Sequence, residues 1–342
     1  MLFEMSLIAV DVGTGTQDIL IYEERGEIEN AVKLVLPTPT KVFAGRVRRA
    51  AKTGRPVSLT GYTMGGGPLG RAVQLAIAGG TEVYATRAAA LTLHDNLERV
   101  SEMGVRVDEE PPEDAVELVL GDWMGAELAA ALEPFGVEVP KKRLIAVQDH
   151  GFSPVMSNRK FRFLQMTEML DAGGWDVYSL VHDPPTPDMT RMHAVREQAG
   201  PKTMVMDTGP AALLGALEDP RVAEAAERGV TLVNAGNGHT LAFTIRGERI
   251  CGVFEHHTGA LTPEKLEAYL RRLQDGTLTG EEVYADDGHG AVVHEPLASS
   301  LLVVTGPNRA KLLPDAYVAV PHGDMMLSGC FGLIRAWEHL KR

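Results

Sequence analysis

Cysteine is scarce in this sequence. Only Cys251 and Cys330 occur among its 342 residues. Two thiols so far apart in the chain cannot form a disulfide framework, a four-thiolate zinc site or an iron–sulfur cluster held by three thiolates. Radical chemistry on a cysteine-bound cluster is therefore excluded.

Long apolar runs and a basic leader segment are also missing. No stretch approaches the roughly 18 apolar residues that a membrane-spanning helix needs. The opening residues 1–15 carry no basic n-region, and Asp11 interrupts their apolar stretch. We therefore predict no membrane partner and a cytoplasmic location.

Positive charge is in deficit, because 33 Lys and Arg stand against 46 Asp and Glu, a formal net charge of −13. Short basic clusters such as Arg159, Lys160 and Arg162 are more typical of a solvated helix face than of contact with an anionic substrate. The sequence thus predicts a small-molecule substrate and no nucleic-acid partner, and it leaves the oligomeric state open.

Glycine, with 36 residues, is plentiful and follows short apolar runs. These runs alternate with helix-like stretches, a pattern typical of an α/β fold. A meander of three predicted strands over residues 7–36 opens the chain, and a second over residues 231–254 opens its later part. The repeat, together with a length of about two domains, predicts two similar α/β domains, residues 1–200 with insertions and residues 201–342, with a cleft between them.

The first glycine turn, Asp11-Val-Gly-Thr-Gly-Thr16, joins two predicted strands. It is neither a Rossmann fingerprint, which leads into a helix, nor a Walker loop, which ends in Gly-Lys-Ser/Thr. Closely spaced backbone amides and threonine hydroxyls suit a phosphate group, and Asp11 at the strand end would hold Mg²⁺. The candidate phosphate-binding residues are Gly13, Thr14, Gly15 and Thr16.

A matching turn, Asn234-Ala-Gly-Asn-Gly-His-Thr240, joins two strands of the second meander. Two such turns facing each other would clamp a polyphosphate; the alternative is that their glycines only make hairpins. A third motif, Val303-Val-Thr-Gly-Pro-Asn308, is a strand that ends in a glycine turn at the start of a helix. The candidate nucleotide-binding residues here are Gly236, Asn237, Gly238, Thr240 and Gly306.

The order and spacing of these three motifs resemble the two phosphate motifs and the adenosine motif of the actin-like ATPase superfamily, which includes sugar kinases, chaperone ATPases and actin. The resemblance implies two ribonuclease-H-like domains that bind ATP and Mg²⁺ in their cleft. Many relatives carry an acidic residue where this chain has Asn234, and Pro307 replaces a second glycine. Both departures bear on nucleotide hydrolysis more than on nucleotide binding.

Four shorter segments resemble a narrower, uncharacterised prokaryotic family, whose members have been labelled pyruvate formate-lyase activating enzymes. The segments are Val147-Gln-Asp-His-Gly151, Met206-Asp-Thr-Gly-Pro-Ala211, Glu255-His-His-Thr258 and His322-Gly-Asp-Met-Met326. The two cysteines of this chain contradict that label.

Histidines and aspartates follow several predicted strands, and parallel strands bring their carboxyl ends to one edge of a sheet. We therefore expect a shared cleft bordered by Asp149, His150, His256, His257 and His322. Imidazole with carboxylate suits Zn²⁺, Mn²⁺ or Fe²⁺, or acid–base catalysis. Adjacent His256 and His257 would point to opposite faces of a strand, so at most one would serve. The candidate metal ligands are Asp11, His256 and His322; a structural role for each histidine is the alternative.

The leading hypothesis is an ATP-dependent kinase or ATPase that acts on an unknown small substrate. Asp11 would orient Mg²⁺, and Asp149 or His150 would be the catalytic base. The predicted cofactors are ATP and Mg²⁺, with a transition metal left open. The alternatives are a metal-dependent hydrolase that uses the histidine edge and a non-catalytic binding protein that responds to nucleotide by domain closure.

Overall fold

The computed structural model describes residues 6–24 and 26–342. The strands are β1 (Ser6–Val12), β2 (Thr16–Glu23), β3 (Val32–Pro37), β4 (Val57–Gly61), β5 (Val83–Ala85), β6 (Val105–Val107), β7 (Val116–Leu120), β8 (Lys142–Val147), β9 (Val181–His182), β10 (Met204–Met206), β11 (Val230–Ala235), β12 (His239–Arg246), β13 (Arg249–His257), β14 (Gly290–Val293), β15 (Leu301–Thr305) and β16 (Tyr317–Val318). The helices are α1 (Pro39–Lys52), α2 (Gly67–Ala78), α3 (Arg87–Ala90), α4 (Leu97–Glu102), α5 (Gly125–Leu132), α6 (Asn158–Ala172), α7 (Thr190–Ala199), α8 (Thr208–Ala216), α9 (Pro220–Ala226), α10 (Pro263–Asp275), α11 (Gly280–Ala285), α12 (Arg309–Leu312) and α13 (Ser328–Leu340).

Two six-stranded sheets share one plan. The first has the order β3-β2-β1-β8-β10-β9 and the second β14-β13-β12-β11-β15-β16. In each, an antiparallel meander is extended on the side of its first strand by two strands parallel to that strand, β8 and β10 in one sheet and β15 and β16 in the other. This order, 3-2-1-4-5, is that of a ribonuclease-H-like domain. The chain therefore has the two-domain actin-like ATPase fold that the resemblance of its three motifs implied, and the repeated meander predicted the two domains.

A third sheet was not foreseen. Its four parallel strands have the order β6-β5-β4-β7 and lie between β3 and β8 in the chain. It has a separate hydrophobic core formed by residues between 43 and 120. Strands β4, β5, β6 and β7 thus belong to an inserted unit with its own sheet.

The first strand shows why these sequences form two-sided sheets. Along β1, Leu7 and Ala9 belong to the core that lies between the two main sheets, whereas Ile8 and Val10 belong to the core on the opposite face. Alternate side chains of a strand point to opposite faces, so an apolar residue at every position marks a strand covered on both sides.

Helices α8 and α13 fill the space between the two main sheets, in a core that takes residues from both. Their backbones approach very closely. A Cβ at Gly215 of α8 would lie 1.7 Å from the Ser328 carbonyl oxygen, and one at Gly332 of α13 would lie 1.8 Å from that of Ala211. Glycine is therefore required at both positions.

The boundary predicted between residues 200 and 201 does not coincide with the edge of the first sheet. Strand β10 pairs with β8, and the C-terminal helix α13 packs against β1 and β8. The first domain thus continues past residue 200 and receives its last helix from the end of the chain. Among residues 6–24 and 26–342, no helix combines the length and the apolar character needed to cross a bilayer.

Candidate functional site

A cleft of about 550 Å³ lies between the two domains. Its walls contain both glycine turns, the third motif and the loop that precedes α2. These lining segments are residues 11–14, 63–67, 148–151, 207–209, 236–239 and 305–307. A larger cavity of about 1090 Å³ beside α5 contains none of them. The cleft is therefore the candidate site.

Two aspartates lie under the first glycine turn. Asp11 of β1 and Asp18 of β2 are directly opposite each other in the antiparallel ladder, and the Oδ1 atom of each is buried without a hydrogen-bond partner. Burial, and then the charges of Asp18 and Asp207, raise the pKa of Asp11 well above its ordinary value. Burial raises the pKa of Asp18 to about 7, although a hydrogen bond from Thr16 lowers it. Unpaired buried carboxylates of this kind fit a bound cation.

The two glycine turns have the same local geometry and face each other. In the first, the Gly13 N–H donates to the Thr16 carbonyl at 3.0 Å; in the second, the Gly236 N–H donates to the His239 carbonyl at the same distance. A Cβ at Gly15 would lie 2.2 Å from Nδ2 of Asn237 across the cleft. The structure thus brings together the two turns that the sequence placed on either side of one ligand.

The third motif lies directly beside the second turn. Gly306 has a φ of 92° and a Cβ there would lie 2.6 Å from the Ala235 carbonyl oxygen, so only glycine fits. Thr240, by contrast, is fully buried, and its hydroxyl lies 3.0 Å from that of Thr258. Thr240 therefore does not line the cleft, although the sequence analysis had placed it at a phosphate-binding turn.

Arg162 of α6 bridges two acidic side chains at the cleft, Glu255 and Asp207. Its Nε donates to both Glu255 oxygens at 3.0 and 2.9 Å, and its Nη1 and Nη2 donate to Asp207 at 2.6 and 3.0 Å. Burial opposes the charge of this guanidinium, but the two carboxylates raise its pKa overall. The interpretation of Arg162 as part of a solvated face is wrong, since its side chain is 5% exposed.

The predicted base candidates lie side by side in the cleft but differ in their surroundings. Asp149 accepts hydrogen bonds from the Gly151 amide at 2.8 Å and the Met192 amide at 2.9 Å, one on each oxygen. Both oxygens are thus engaged in holding the local backbone. His150 instead faces other imidazoles, with ring centroids 5.5 Å from that of His239 and 5.6 Å from that of His289.

The three predicted metal ligands do not come together. Asp11 lines the cleft. His256 is fully buried on the other face of β13, where its Nε2 lies 3.2 Å from Oδ2 of Asp286. His322 packs on Phe331, with a ring distance of 4.7 Å, and its Nε2 lies 3.6 Å from Glu218. Adjacent residues of a strand point to opposite faces, as the sequence analysis expected for this pair. His257, and not His256, therefore lines the cleft.

Several functional candidates escaped the sequence analysis. Asp18 lies in the interior of a strand, and His289 lies in a loop before β14, where no motif marks it. Arg162 gains its partners only through folding, because Asp207 and Glu255 are 45 and 93 residues away in the chain. His239 lies within the second glycine turn, but the sequence analysis gave it no role.

No curated protein matches the chain. Among solved structures, a Ppx/GppA family member from Aquifex aeolicus is 12% identical, with a TM-score of 0.29 over 89% of this chain and 67% of that one. A Bacteroides thetaiotaomicron protein with an actin-like ATPase fold and unknown function is 7% identical, with a TM-score of 0.35 over 96% of both chains. The ethanolamine utilization protein EutJ from Carboxydothermus hydrogenoformans is 10% identical, with a TM-score of 0.26 over 95% of this chain and 88% of that one. At these values the fold assignment rests on the sheet order described above.

One family model covers well over half of the chain. It matches residues 64–311 and carries the description "putative pyruvate format-lyase activating enzyme". The two cysteines do not support the chemistry in that description, because both are buried and lie apart, Cys251 beside Glu295 and Cys330 beside β1. The family itself is the one that the four short segments predicted, and the chain belongs to it, the DUF1786 family.

Proposed function

We propose that this protein is an ATP-dependent phosphotransferase or ATPase that binds Mg²⁺ and ATP in the cleft between its two domains. The observation that carries the proposal is the pair of buried, unpartnered carboxylate oxygens of Asp11 and Asp18 beneath the first glycine turn. Leaving such groups unpaired is costly in free energy, and a divalent cation with oxygen ligands would compensate them.

The surroundings of the two carboxylates fit a phosphate chain held by such a cation. Thr14 and the backbone amides of the first turn border the cleft on one side, and those of Gly236 and Gly238 border it on the other. A Cβ at Gly329 would lie 2.0 Å from Oδ2 of Asp11, so the start of α13 packs directly against this carboxylate and only glycine fits there. The volume of the cleft, about 550 Å³, is in the range of small-ligand sites.

The roles of the residues follow from these positions. Asp11 and Asp18 would hold the cation, the two glycine turns would position the phosphates, and the turn at Gly306 would border the nucleoside. When bound, Mg²⁺ would neutralise the phosphate charge that develops during transfer. Asp149 is a positioning residue, because its oxygens hold the backbone of residues 151 and 192.

A second candidate, a metal-dependent hydrolase, is favoured by one specific observation. His150, His239 and His289 place their ligand nitrogen atoms within 4.8 Å of one another. Of this set, only His150 was among the strand-end histidines on which the sequence hypothesis rested.

Calorimetric titration of the purified chain with ATP, with and without Mg²⁺, tests the proposal together with an assay of phosphate release. We expect Mg²⁺-dependent binding by the parent and turnover at least about 100-fold lower for Asp11→Asn, since removal of a charge-stabilising group commonly has that effect. The matched control is Asp275→Asn, an exposed aspartate at the end of α10, which should behave like the parent. Absence of Mg²⁺-dependent ATP binding by the parent, or unchanged binding by Asp11→Asn, would overturn the proposal.

A further inference from the structure

Three imidazoles from the two domains meet at one side of the cleft. His150 follows β8 of the first sheet, whereas His239 begins β12 and His289 immediately precedes β14 of the second. The ring centroids of His239 and His289 are 4.7 Å apart, and those of His150 lie within 5.6 Å of both. One ligand nitrogen of each ring lies within 4.8 Å of the other two.

Two of these rings, those of His239 and His289, lack the hydrogen bonds that buried imidazoles normally make. His289 is 2% exposed, and neither ring nitrogen of His239 or His289 has a partner. Buried polar atoms without partners are rare in folded proteins and call for an explanation such as an ion. A neutral imidazole has a lone pair on one ring nitrogen that can bind a metal ion.

We propose that His150, His239 and His289 bind one divalent transition metal ion of the Zn²⁺ class, with a further coordination position facing the cleft. Imidazole nitrogen suits Zn²⁺ and related ions, whereas Mg²⁺ and Ca²⁺ take oxygen ligands. Tetrahedral Zn–N bonds of about 2.05 Å place ligand nitrogens about 3.3 Å apart. The rings therefore need to close by about 1.5 Å at most, within the reach of small side-chain movements.

A fourth histidine borders the three. The ring of His257 lies 5.1 Å from that of His239 and 4.8 Å from that of His289, and its Nδ1 lies 2.7 Å from the Asp287 carbonyl oxygen. A hydrogen bond of this kind fixes the tautomer and orientation of a ring at the edge of a metal site. His257 thus packs beside two of the three ligands, His239 and His289.

The metal site is separate in chemistry from the proposed Mg²⁺ site. It uses nitrogen atoms rather than carboxylate oxygens, and it joins the two domains, because His150 belongs to the first and the other ligands to the second. A bound ion would hold the cleft closed. The site does not depend on the proposed nucleotide activity, so failure of one leaves the other standing.

Metal titration of the full chain after chelator treatment tests the proposal. We expect one Zn²⁺ per chain and, with Co²⁺ as the probe, intense visible absorption bands of a low-symmetry site with nitrogen ligands. His289→Ala and His239→Ala should each weaken binding at least about 100-fold and abolish these bands, because loss of one of three ligands removes a metal–nitrogen bond. His322→Ala, which lies outside the cleft, is the matched control and should bind like the parent.

A folding check accompanies the titration. Thermal melting without metal should be similar for parent and variants, and Zn²⁺ should raise the melting temperature of the parent and of His322→Ala only. If His289→Ala does not fold, His150→Gln provides the same comparison. Substoichiometric Zn²⁺ in the parent, or equal affinity and equal Co²⁺ spectra for the parent and a folded ligand variant, would overturn the proposal. Millimolar Mg²⁺ should leave the Co²⁺ bands unchanged, and displacement by Mg²⁺ would contradict the nitrogen-ligand assignment.

Discussion

His182, on the edge strand β9, is 6% exposed and its Nδ1 has no hydrogen-bond partner. Burial lowers its pKa from 6.5 to about 4, although the nearby Asp207 acts in the opposite direction. The unfolded chain therefore binds more protons at this residue between pH 6.5 and 4. The stability that the neutral ring confers is fully present above pH 6.5 and is lost as the pH falls toward 4, by up to about 3 kcal/mol.

We predict that His182→Gln flattens the dependence of the free energy of unfolding on pH in this interval, as measured by urea unfolding in the presence of a chelator. His193→Gln is the control, because His193 is exposed on α7 and should leave the slope of the parent unchanged. Other histidines with lowered pKa values contribute equally to all three proteins. Parallel curves for the parent and His182→Gln would contradict the assignment.

At the scale of single residues, the glycine turns of the site could be predicted from the sequence, whereas the surroundings of its charged side chains could not. Glycine turns are local features, so Gly15 and Gly238 could be predicted from a few neighbouring positions. The environment of Arg162 depends on Asp207 and Glu255, which only the fold brings to it. From the sequence alone, a charged residue on a predicted helix that faces solvent cannot be distinguished from one that is buried against acidic partners.

The crossing of α8 and α13 depends on glycine at the contact. A methyl group at position 332 would lie 1.8 Å from the Ala211 carbonyl oxygen, so Gly332→Ala should push the helices apart and lower the free energy of unfolding by about 1–3 kcal/mol or more. Gly70→Ala is the matched control in α2, where no atom lies within 4 Å of the added Cβ, and it should raise stability by about 0.5–1 kcal/mol. Thermal and urea unfolding measure both effects. Equal stability of the two variants would show that the helices adjust at no cost.

Elements with a distinct pattern were predicted closely, and those without one were not. The two meanders were predicted over residues 7–36 and 231–254, and the structure has their strands within residues 6–37 and 230–257. The bounds of helix α8 could not be predicted, because every residue from Gly209 to Ala216 is buried, which leaves no polar face and hence no helical period. The bounds of strand β10 could not be predicted either, because three residues are too few for a period.

The two domains are joined by the contacts of Arg162, which reach Asp207 at the start of α8 and Glu255 on β13. Arg162→Met should cost about 3–5 kcal/mol, because it leaves two carboxylates buried without their partner. The control is Arg246→Ala on β12, since this arginine is 50% exposed and lies 3.5 Å from Glu295, and an exposed ion pair contributes about 0–1 kcal/mol. Urea unfolding provides the comparison. A cost for Arg162→Met no greater than that of the control would show that the pair does not hold the domains together.

At the scale of the whole molecule, the duplicated plan was accessible from the sequence, because both meanders are built from consecutive strands. The separate sheet of the insertion was not, since nothing in a strand's own residues states whether it pairs with β1 or with another inserted strand. The packing of the C-terminal helix α13 against the first sheet could not be predicted either, because its own residues do not indicate which sheet it contacts.

The packing of the C-terminal helix α13 on the N-terminal sheet has a consequence for synthesis of the protein. The Cys330 thiol donates to the Ala9 carbonyl at 3.5 Å, a contact that joins positions 321 residues apart. On the ribosome, β1 emerges early and one face of its sheet stays uncovered until α13 has been translated. The inserted unit, whose core lies within residues 43–120, can close much sooner. Nascent chains that stop before Ser328 would therefore present a folded insertion beside an open apolar sheet, a surface that chaperones recognise.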